Sequence, residues 1–378
     1  MAIKTYKNYI DGKWVVSSSG DTFDDINPAN KKEIIGRFQK SNADDLNKAV
    51  KSAVKAQEGW RNLPAPKRGE ILFRVGELLT KYKESLAEDM TREMGKVLKE
   101  TRGDVQEAID LTYYTAGEGR RMLGETVPSE LNNKFCMTVR MPVGVVAAIT
   151  PWNFPIAIPA WKLAPALICG NTVVLKPASG TPLSAVKLVE VFEAAGLPPG
   201  VLNLITGPGS LVGNALVESQ QVRGISFTGS TEVGTGIYSA GAKLLKKMQC
   251  EMGGKNAVIL LADADLDKAL GGIIQGAFGS TGQRCTATSR VIVEEPIYDQ
   301  FMEELIDRTS KLKIGDGLDP EVDVSPLASK SQFDIVMEYI GMGTEEGADL
   351  VYGGNSVTGG IYDQGYYIEP TIFTSVGL

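Results

Sequence analysis

The feature that most constrains the fold is an alternation of short apolar runs with helical stretches, which begins at Gly144. The apolar runs are GVVAAIT, TVVLKP, VLNLI and GISFTGS, and the segments between them have apolar residues at helical spacing. Short strands that alternate with helices are typical of βαβ units, in which helices cover both faces of a parallel sheet. Strands buried on both faces read as continuous apolar runs, as these do. The sequence therefore predicts an α/β fold built on a parallel sheet.

The segments on either side of this region complete the prediction. Residues 43–60 and 68–90 have the periodicity of amphipathic helices, which are usually scaffold. Downstream, NAVILLADADLDKAL predicts a second α/β unit, followed by a strand at RVIVEE, a helix over 297–311 and a last extended segment. The stretch SELNNKFCMTVRMPVG predicts an extended hairpin, which is either an arm that pairs with another subunit or an ordinary edge hairpin.

Composition excludes several classes of protein. The chain has 378 residues, which predicts more than one domain, and its net charge of −7 and lack of a basic aromatic cluster argue against nucleic-acid binding. We find neither a signal peptide nor an apolar run long enough to cross a membrane, so we expect a cytoplasmic protein. Four widely separated cysteines and the absence of histidine argue against a zinc site, a disulfide framework or any other metal centre.

Ligands bind at the carboxyl ends of the strands in such sheets, so the loops that follow strands hold the candidate site residues. In FTGSTEVG, Gly229 permits close approach of the backbone, and Ser230 opens a helix whose free N–H groups suit a pyrophosphate. The alternative is an ordinary helix cap beside a turn glycine. The stretch GPGSLVG is one residue longer than a dinucleotide fingerprint and contains Pro208, so we interpret it as a turn.

Three further strand ends carry polar side chains. Lys176 and Ser179 in LKPAS could bind ribose hydroxyls, Asn153 in TPWNFP could donate to a developing oxyanion, and Glu251 in QCEMGG could act as a general base. Each has an ordinary structural alternative, namely a solvated lysine, a turn asparagine and a surface glutamate. No one of these stretches is specific by itself.

Cys285, in the small-residue loop STGQRC, is a candidate nucleophile. Histidine, the usual activating partner of a thiol, is absent from the chain. A helix N-terminus, nearby donors and a glutamate could activate the thiol instead, directly or through water. We interpret the remaining cysteines, Cys136, Cys169 and Cys250, as inert.

Taken together, the stretches PWNFP, KPASGTP, FTGSTEVG, EMGGK and FGSTGQRC resemble, in order and spacing, the motif series of the aldehyde dehydrogenase superfamily. The resemblance runs from about Tyr9 to the last residue. It implies a Rossmann-like parallel-sheet cofactor domain, a second α/β catalytic domain and an extended oligomerisation arm. The implied boundaries are 1–123 and 143–250 for the NAD(P)-binding domain, 124–142 for the arm and 251–378 for the catalytic domain.

The resemblance also implies the role of each site residue. Cys285 would be the nucleophile, Asn153 with the Cys285 N–H the oxyanion hole, Glu251 the base that activates water, and Lys162 a proton relay from Glu251. For the ligands, Lys176 would bind the adenosine ribose, Gly229 and Ser230 the pyrophosphate, Trp152 would flank the cofactor cleft and Phe154 would line the substrate tunnel. These roles imply oxidation of an aldehyde by NAD or NADP through a cysteine thiohemiacetal and thioester, without a metal.

Several positions depart from the common pattern of the superfamily. Ser179 stands where many NAD-using members have a glutamate that would repel a 2′-phosphate, so we expect NADP to be accepted. Ser280 stands where many members have asparagine. FGSTGQRCTATSR and IPAWKLAPAL are most similar to the bacterial 2-oxoglutarate semialdehyde dehydrogenases, which implies a carboxylate-bearing semialdehyde as substrate. Arg284 would either face that carboxylate or structure the loop, and Trp161 argues against a succinate-semialdehyde enzyme.

The end of the sequence suggests a further departure. The chain stops at EPTIFTSVGL, before the superfamily's next motif, so we expect C-terminal truncation and an incomplete catalytic domain. Superfamily members are homodimers or homotetramers, and a complete protein would be one too. Two other functions remain open at this point: a non-catalytic remnant that binds nucleotide or a partner, and an esterase that uses the same thiol without hydride transfer.

Overall fold

The computed structural model describes residues 3–377, so Met1, Ala2 and Leu378, the outermost positions of the predicted domains, lie outside the described residues. The first third contains short antiparallel strands followed by long helices: β1 Asn8–Ile10, β2 Lys13–Val15, β3 Thr22–Ile26, β4 Ile34–Gln39, α1 Ala43–Asn62, α2 Ala65–Met94 and α3 Leu98–Glu118. The long helices match the periodicity of the sequence. The four strands were not predicted, because strands this short carry too little alternation to be recognised.

Local signals explain where the long helices begin and end. The Asn42 side chain accepts hydrogen bonds from the backbone N–H groups of Asp44 and Asp45, and the Asp45 carboxylate accepts one from Asn42 in return, which completes a capping box at the start of α1. Helix α2 ends at Gly95, whose φ of +93° is readily adopted only by glycine.

The central region has the predicted βαβ pattern. Its elements are a short hairpin, β5 Thr126–Val127 and β6 Cys136–Met137, and then β7 Val145–Ile149, α4 Ala157–Ile168, β8 Thr172–Lys176, α5 Pro182–Ala194, β9 Leu202–Leu204, α6 Asn214–Glu218, β10 Val222–Thr228, α7 Thr231–Lys243 and β11 Lys247–Glu251. The stretch GPGSLVG was predicted to be a turn; it bends at Gly207, and its last five residues, Gly209–Gly213, form a π-helical segment.

Within residues 3–377 the largest sheet has seven strands, in the order β11-β10-β7-β8-β9-β1-β2. The five strands from β11 to β9 are mutually parallel, whereas β1 joins β9 antiparallel through Tyr9 and Leu204. The chain goes from β7 outward through β8 and β9, then returns to place β10 on the other side of β7. The strand order therefore reverses between β7 and β10, which is where ligands bind in open α/β sheets.

Two apolar cores cover the two faces of this sheet. Helices α2, α3, α4 and α5 pack on one face with residues such as Leu79, Leu163 and Leu188. Helices α1, α6 and α7 pack on the other, where Leu216 and Phe227 are buried. The sheet is thus covered on both faces, as the apolar runs of its strands predict.

The last third forms a second α/β unit with a core of its own. Its elements are β12 Asn256–Leu260, α8 Leu266–Phe278, β13 Thr288–Val293, α9 Tyr298–Ser310, α10 Lys330–Glu345, β14 Asp349–Tyr352 and β15 Ile372–Thr374. Strands β12 and β13 are parallel, and Leu260, Leu270 and Phe301 form the centre of the core between them and helices α8 and α9. The predicted α/β class is confirmed, whereas nothing in this architecture shows the expected incompleteness.

The predicted hairpin between α3 and β7 is present and carries many exposed apolar side chains. Strands β5 and β6 pair through Thr126 with Met137 and through Val127 with Cys136. Phe135 is 75% exposed and Leu131 67% exposed, which is unusual for residues of their size. Nowhere in residues 3–377 is there a helix both long and apolar enough to cross a bilayer.

A fully buried ion pair joins the helical layer to the loop that follows β7. Lys96 donates to Asp104 at 3.3 Å, and both side chains are almost inaccessible to solvent. Burial lowers the pKa of Lys96 and raises that of Asp104. The other Asp104 oxygen accepts the backbone N–H of Ala157, the first residue of α4, at 2.8 Å. The pair therefore fixes the start of α4.

We expect Lys96→Met to lower the free energy of unfolding by about 3–5 kcal/mol, because it leaves the Asp104 charge buried without its partner. Urea unfolding followed by circular dichroism measures the loss. Lys67→Met is the matched control, since Lys67 forms an ion pair with Glu70 at the surface and its loss should leave stability unchanged. Equal stability of the two variants would contradict the prediction.

Candidate active site

The loops after β7 and β10 flank the point where the strand order reverses. After β7 come residues 150–155, which contain Trp152, Asn153 and Phe154, all half-buried. After β10 come Gly229 and Ser230 at the start of α7. The sheet thereby brings PWNFP and FTGSTEVG to neighbouring strand ends, as the sequence predicts.

The loop that carries Cys285 follows α8 and is held in an unusual conformation. Ser280 has φ and ψ of 52° and 27°, and Thr281 has 56° and 36°, so both are left-handed. Gly282 follows with a φ of 68°. For a residue other than glycine, this conformation costs about 1–2 kcal/mol. Contacts with the rest of the protein must therefore stabilise the turn three residues before Cys285.

Three other segments of the chain fix the loop on either side of Cys285, which is exposed. Asn153 Nδ2 donates to the Gln283 carbonyl at 2.9 Å, so the loop after β7 contacts the cysteine loop directly. Asn256 Nδ2, at the start of β12, donates to the Cys285 carbonyl at 2.7 Å. The backbone N–H of Ala328 donates to Gln283 Oε1 at 3.0 Å. The thiol is therefore presented from a well-anchored backbone.

Two polar atoms in the loop after β7 are buried without a hydrogen-bond partner among the described residues. They are Asn153 Oδ1 and Thr150 Oγ1. Buried polar atoms are nearly always paired in proteins, so these two leave a place at the end of the strand for a partner from a ligand or an ordered water.

Four polar side chains form a continuous line on one face of the sheet. Lys162 Nζ on α4 donates to Ser226 Oγ at 2.9 Å, Ser226 donates to Gln249 Oε1, and Gln249 Nε2 donates to Glu251 Oε1 at 2.8 Å. Ser226 and Gln249 are directly paired residues of β10 and β11, so their side chains point to the same face. The line connects two predicted site residues through two that were not predicted.

The surroundings of Lys162 favour a neutral amine more than usual. Burial of its side chain lowers its pKa to about 8, although the negative charge of Glu251 counteracts part of that effect. A lysine with such a pKa can accept or give up a proton near neutral pH.

The end of β8 presents a buried cation. Lys176 is 5% exposed, burial lowers its pKa to about 8, and its Nζ has no hydrogen-bond partner among residues 3–377. Ser179 Oγ donates to the Gly207 carbonyl at 3.0 Å, which brings the turn at GPGSLVG against the same strand end. The two predicted ribose-binding residues therefore lie beside this turn.

At the start of α7 the structure shows the capping role of Ser230. Its Oγ accepts the N–H of Val233 at 3.3 Å. Gly229 donates its N–H to the Glu251 carbonyl at 3.1 Å, and a Cβ there would lie 2.5 Å from the Phe227 ring. Packing on Phe227 therefore requires the glycine, and no ligand is needed to explain it. The first N–H groups of a helix have no partner within the helix, which is what the pyrophosphate prediction needs.

Two predicted substrate residues make contacts inside the protein. Lys96 Nζ lies 3.5 Å from the centre of the Phe154 ring, a cation–π contact that fixes the ring. The Arg284 guanidinium donates to the Gln275 carbonyl near the end of α8, and its Nε is buried without a partner among the described residues. This contact matches the second of the two roles considered for Arg284, that of structuring the loop.

Sequence reasoning missed Ser226, Gln249 and Asn256. A signal for Gln249 was present, because it lies two residues before Glu251 in one strand and therefore shares its face. Ser226 and Asn256 carried no such signal, since their importance comes from contacts between distant segments.

Comparison with known proteins agrees with this architecture. The model of the aldehyde dehydrogenase family matches residues 14–377. The alpha-ketoglutaric semialdehyde dehydrogenase of Bacillus subtilis is 48% identical over 98% of this chain and 76% of its own length. The alpha-ketoglutarate semialdehyde dehydrogenase of Haloferax volcanii is 45% identical over 98% of this chain and 76% of its own. Nearly the whole chain is matched, and it spans about three quarters of each relative's length. The expected truncation is not shown by these matches.

Solved structures give the same result. A betaine aldehyde dehydrogenase from Staphylococcus aureus in complex with NAD+ superimposes with a TM-score of 0.97 at 34% identity, over 98% of this chain and 74% of that one. An NADP-dependent enzyme from E. coli has a TM-score of 0.95 at 40% identity, over 99% of this chain and 77% of that one. The chain therefore belongs to the aldehyde dehydrogenase family and is an NAD(P)-dependent oxidoreductase.

Proposed function

We propose that Cys285 is the nucleophile of this aldehyde oxidation and that Asn153 and the Cys285 N–H hold the developing oxyanion. The hydrogen bond from Asn153 Nδ2 to the Gln283 carbonyl carries the proposal, because it links the donor loop to the cysteine loop. The thiolate attacks the aldehyde carbon to form a C–S bond, and the carbonyl oxygen becomes the anion that these donors stabilise. The other hydrogen of the Asn153 amide is available for that oxygen.

The residues at the end of β8 and the start of α7 fit a nicotinamide dinucleotide. Among residues 3–377 the buried Lys176 amine and the Thr150 hydroxyl have no hydrogen-bond partner. Lys176 would bind the adenosine ribose, and the first turn of α7 at Ser230 would bind the pyrophosphate. Trp152 would flank this cleft. A bound NAD or NADP would supply the hydride acceptor for this oxidation, and the acyl group would remain on Cys285 as a thioester.

Glu251 is proposed to deprotonate the water that hydrolyses this thioester. The line through Gln249 and Ser226 supports the role, because it holds the carboxylate in place and connects it to Lys162, whose pKa of about 8 suits proton exchange. Attack by hydroxide breaks the C–S bond, releases the carboxylic acid and restores the Cys285 thiolate.

We further propose that the substrate is a semialdehyde bearing a carboxylate, with 2-oxoglutarate semialdehyde as the first candidate. The support is the name of the Bacillus subtilis relative, which is 48% identical over nearly the whole chain. Arg284 already donates to the Gln275 carbonyl, so we assign it to the loop, and a substrate carboxylate would require that contact to change. Phe154, fixed by Lys96, would line the path of the substrate.

Formation of reduced cofactor, followed by its absorbance, tests the substrate class. We expect kcat/KM for 2-oxoglutarate semialdehyde to exceed that for pentanal, an uncharged aldehyde of the same chain length, by at least about tenfold, or about 1.4 kcal/mol. Succinate semialdehyde is the second comparison and should be intermediate. Equal values for all three would contradict a carboxylate site. Ester hydrolysis without any formation of reduced cofactor would instead indicate an esterase.

The domain division is part of the same proposal. We assign residues 1–123 and 143–250 to cofactor binding, 251–378 to catalysis and 124–142 to an oligomerisation arm. The large sheet, the separate core around Leu270 and the exposed apolar hairpin support these boundaries. A homodimer or homotetramer would cover the hairpin, and we place the protein in the cytoplasm as part of the same proposal.

Ser179 is proposed to permit NADP, and we expect Ser179→Glu to weaken NADP binding at least about tenfold while NAD binding changes little. Two like charges about 4 Å apart repel by about 4 kcal/mol near a protein surface, which is more than enough. Quenching of tryptophan fluorescence measures both affinities. Ser179→Gln is the control, since glutamine has the size of glutamate without its charge. Parallel losses in both variants, or an unchanged ratio of affinities, would show that Ser179 does not face the 2′ position.

A further inference from the structure

A carboxylate from a distant helix binds the left-handed turn before Cys285 at Ser280. Glu100 lies in the first turn of α3, and its two oxygens accept the backbone N–H of Ser280 at 2.8 and 2.9 Å. One of them also accepts the Ser280 hydroxyl at 3.0 Å. Ser280 is 4% exposed, so water does not readily replace these bonds. A charged acceptor makes each of them stronger than a neutral one.

The surroundings keep the Glu100 carboxylate in this position. Gln275 Nε2 lies 3.4 Å from it, and both Glu100 and the Arg284 guanidinium lie against Gly279. Lys96 is a further cation close to Glu100. Helix α3, which carries Glu100, packs between α2 and α4, so the carboxylate is attached to a rigid part of the scaffold.

Downstream of the turn, each contact depends on the direction that the turn gives to the chain. Thr281 Oγ1 donates to the Ser325 carbonyl at 2.8 Å. Further along, the Gln283 carbonyl accepts a hydrogen bond from Asn153, and the Cys285 carbonyl accepts one from Asn256. Relaxation of Ser280 and Thr281 to the right-handed region would redirect this whole segment. A displacement of about 1 Å at a reacting atom can lower a rate by about a hundredfold.

We propose that Glu100 is a positioning residue for the reaction: its carboxylate stabilises the left-handed conformation of Ser280 and Thr281 and thereby sets the place of Cys285. The inference rests on the proposed function, in that Cys285 is taken as the nucleophile. It adds a residue that touches neither substrate nor cofactor, and that lies 185 positions earlier in the chain.

Glu100→Ala tests the proposal through the rate of the pre-steady-state burst of reduced cofactor. We expect that rate to fall about tenfold to a hundredfold, while the KM for cofactor stays unchanged. The decisive variant adds Ser280→Gly, because glycine adopts the left-handed conformation without the steric cost. The double variant should recover most of the lost rate, and Ser280→Gly alone should stay close to wild type. A merely stabilising Glu100 would not be rescued in this way.

A wild-type burst rate in Glu100→Ala, or a loss that Ser280→Gly does not restore, would overturn the proposal. If Glu100→Ala does not fold, as judged by circular dichroism, the same comparison is made with Glu100→Gln, which keeps an acceptor of the same size. The proposed function fails separately, if Cys285→Ala retains the burst. The two failures are therefore distinguishable.

Discussion

Replacing Cys285 by alanine is expected to lower aldehyde oxidation, and any hydrolysis of esters, at least about a hundredfold, because both reactions begin with attack by its thiolate. The thiol is exposed, and its backbone is fixed by Asn256, so the substitution removes the nucleophile without disturbing the loop. Steady-state formation of reduced cofactor and release of a chromogenic leaving group measure the two activities.

Alanine variants of the other cysteines are the matched controls. Cys136 and Cys169 lie away from the strand ends at the candidate site, and the Cys250 sulfur lies 4.0 Å from the Gly234 carbonyl in the packing of α7. Each of these variants should keep both activities within a few-fold of wild type. Loss in one of them together with an active Cys285→Ala would show that the nucleophile has been wrongly assigned.

Glu251→Gln is expected to lower steady-state turnover by about a hundredfold or more while the first burst of reduced cofactor survives. Glutamine keeps the size of the side chain and can still accept the hydrogen bond from Gln249, but it cannot deprotonate water. Acylation of Cys285 precedes the step that needs the base, so only deacylation should slow. Stopped-flow absorbance separates the burst from the turnover that follows.

The control for this variant is Glu369→Gln, a glutamate in the stretch EPTIF near the end of the chain whose carboxylate bonds Asn355. The Glu369→Gln substitution should change neither the burst of reduced cofactor nor the turnover that follows it. If burst and turnover fell together in Glu251→Gln, Glu251 would activate the Cys285 thiol or support the fold, and water activation would have to be assigned to another group.

The parallel sheet and its neighbouring helices could be predicted because their signals are local. The runs GVVAAIT and TVVLKP are fully buried strands, and α1 begins at a capping box that can be read from Asn42 and Asp45. The pairing of β1 with β9 could not be predicted, since it joins Tyr9 to Leu204 and depends on the assembled fold.

The candidate site divides in the same way. Lys176 and Glu251 end strands, Asn153 follows a strand and Cys285 follows a helix. All four belong to recognisable motifs, so the sequence alone could propose them. Their supporting residues did not stand out. Glu100 lies in a polar helical turn, and only the fold brings it to Ser280, while Gln249 becomes meaningful once β11 pairs with β10.

The sequence predicts pyrophosphate binding by Gly229 and Ser230, but their contacts within the protein do not require a ligand. The packing of Phe227 and the cap of α7 explain both residues without a ligand. Their role at the pyrophosphate therefore stays a prediction. Local motifs cannot separate the two explanations, because a helix N-terminus that binds an anion uses the same residue types as a cap.

Mass spectrometry of the intact Glu251→Gln protein, incubated with NADP and 2-oxoglutarate semialdehyde, tests the proposed chemistry most directly. Slow deacylation should trap the thioester, so the protein should gain the mass of the aldehyde less two hydrogen atoms, and digestion should place the adduct on the peptide that contains Cys285. An adduct on Cys136, Cys169 or Cys250, or continued turnover without any adduct, would contradict covalent catalysis at Cys285.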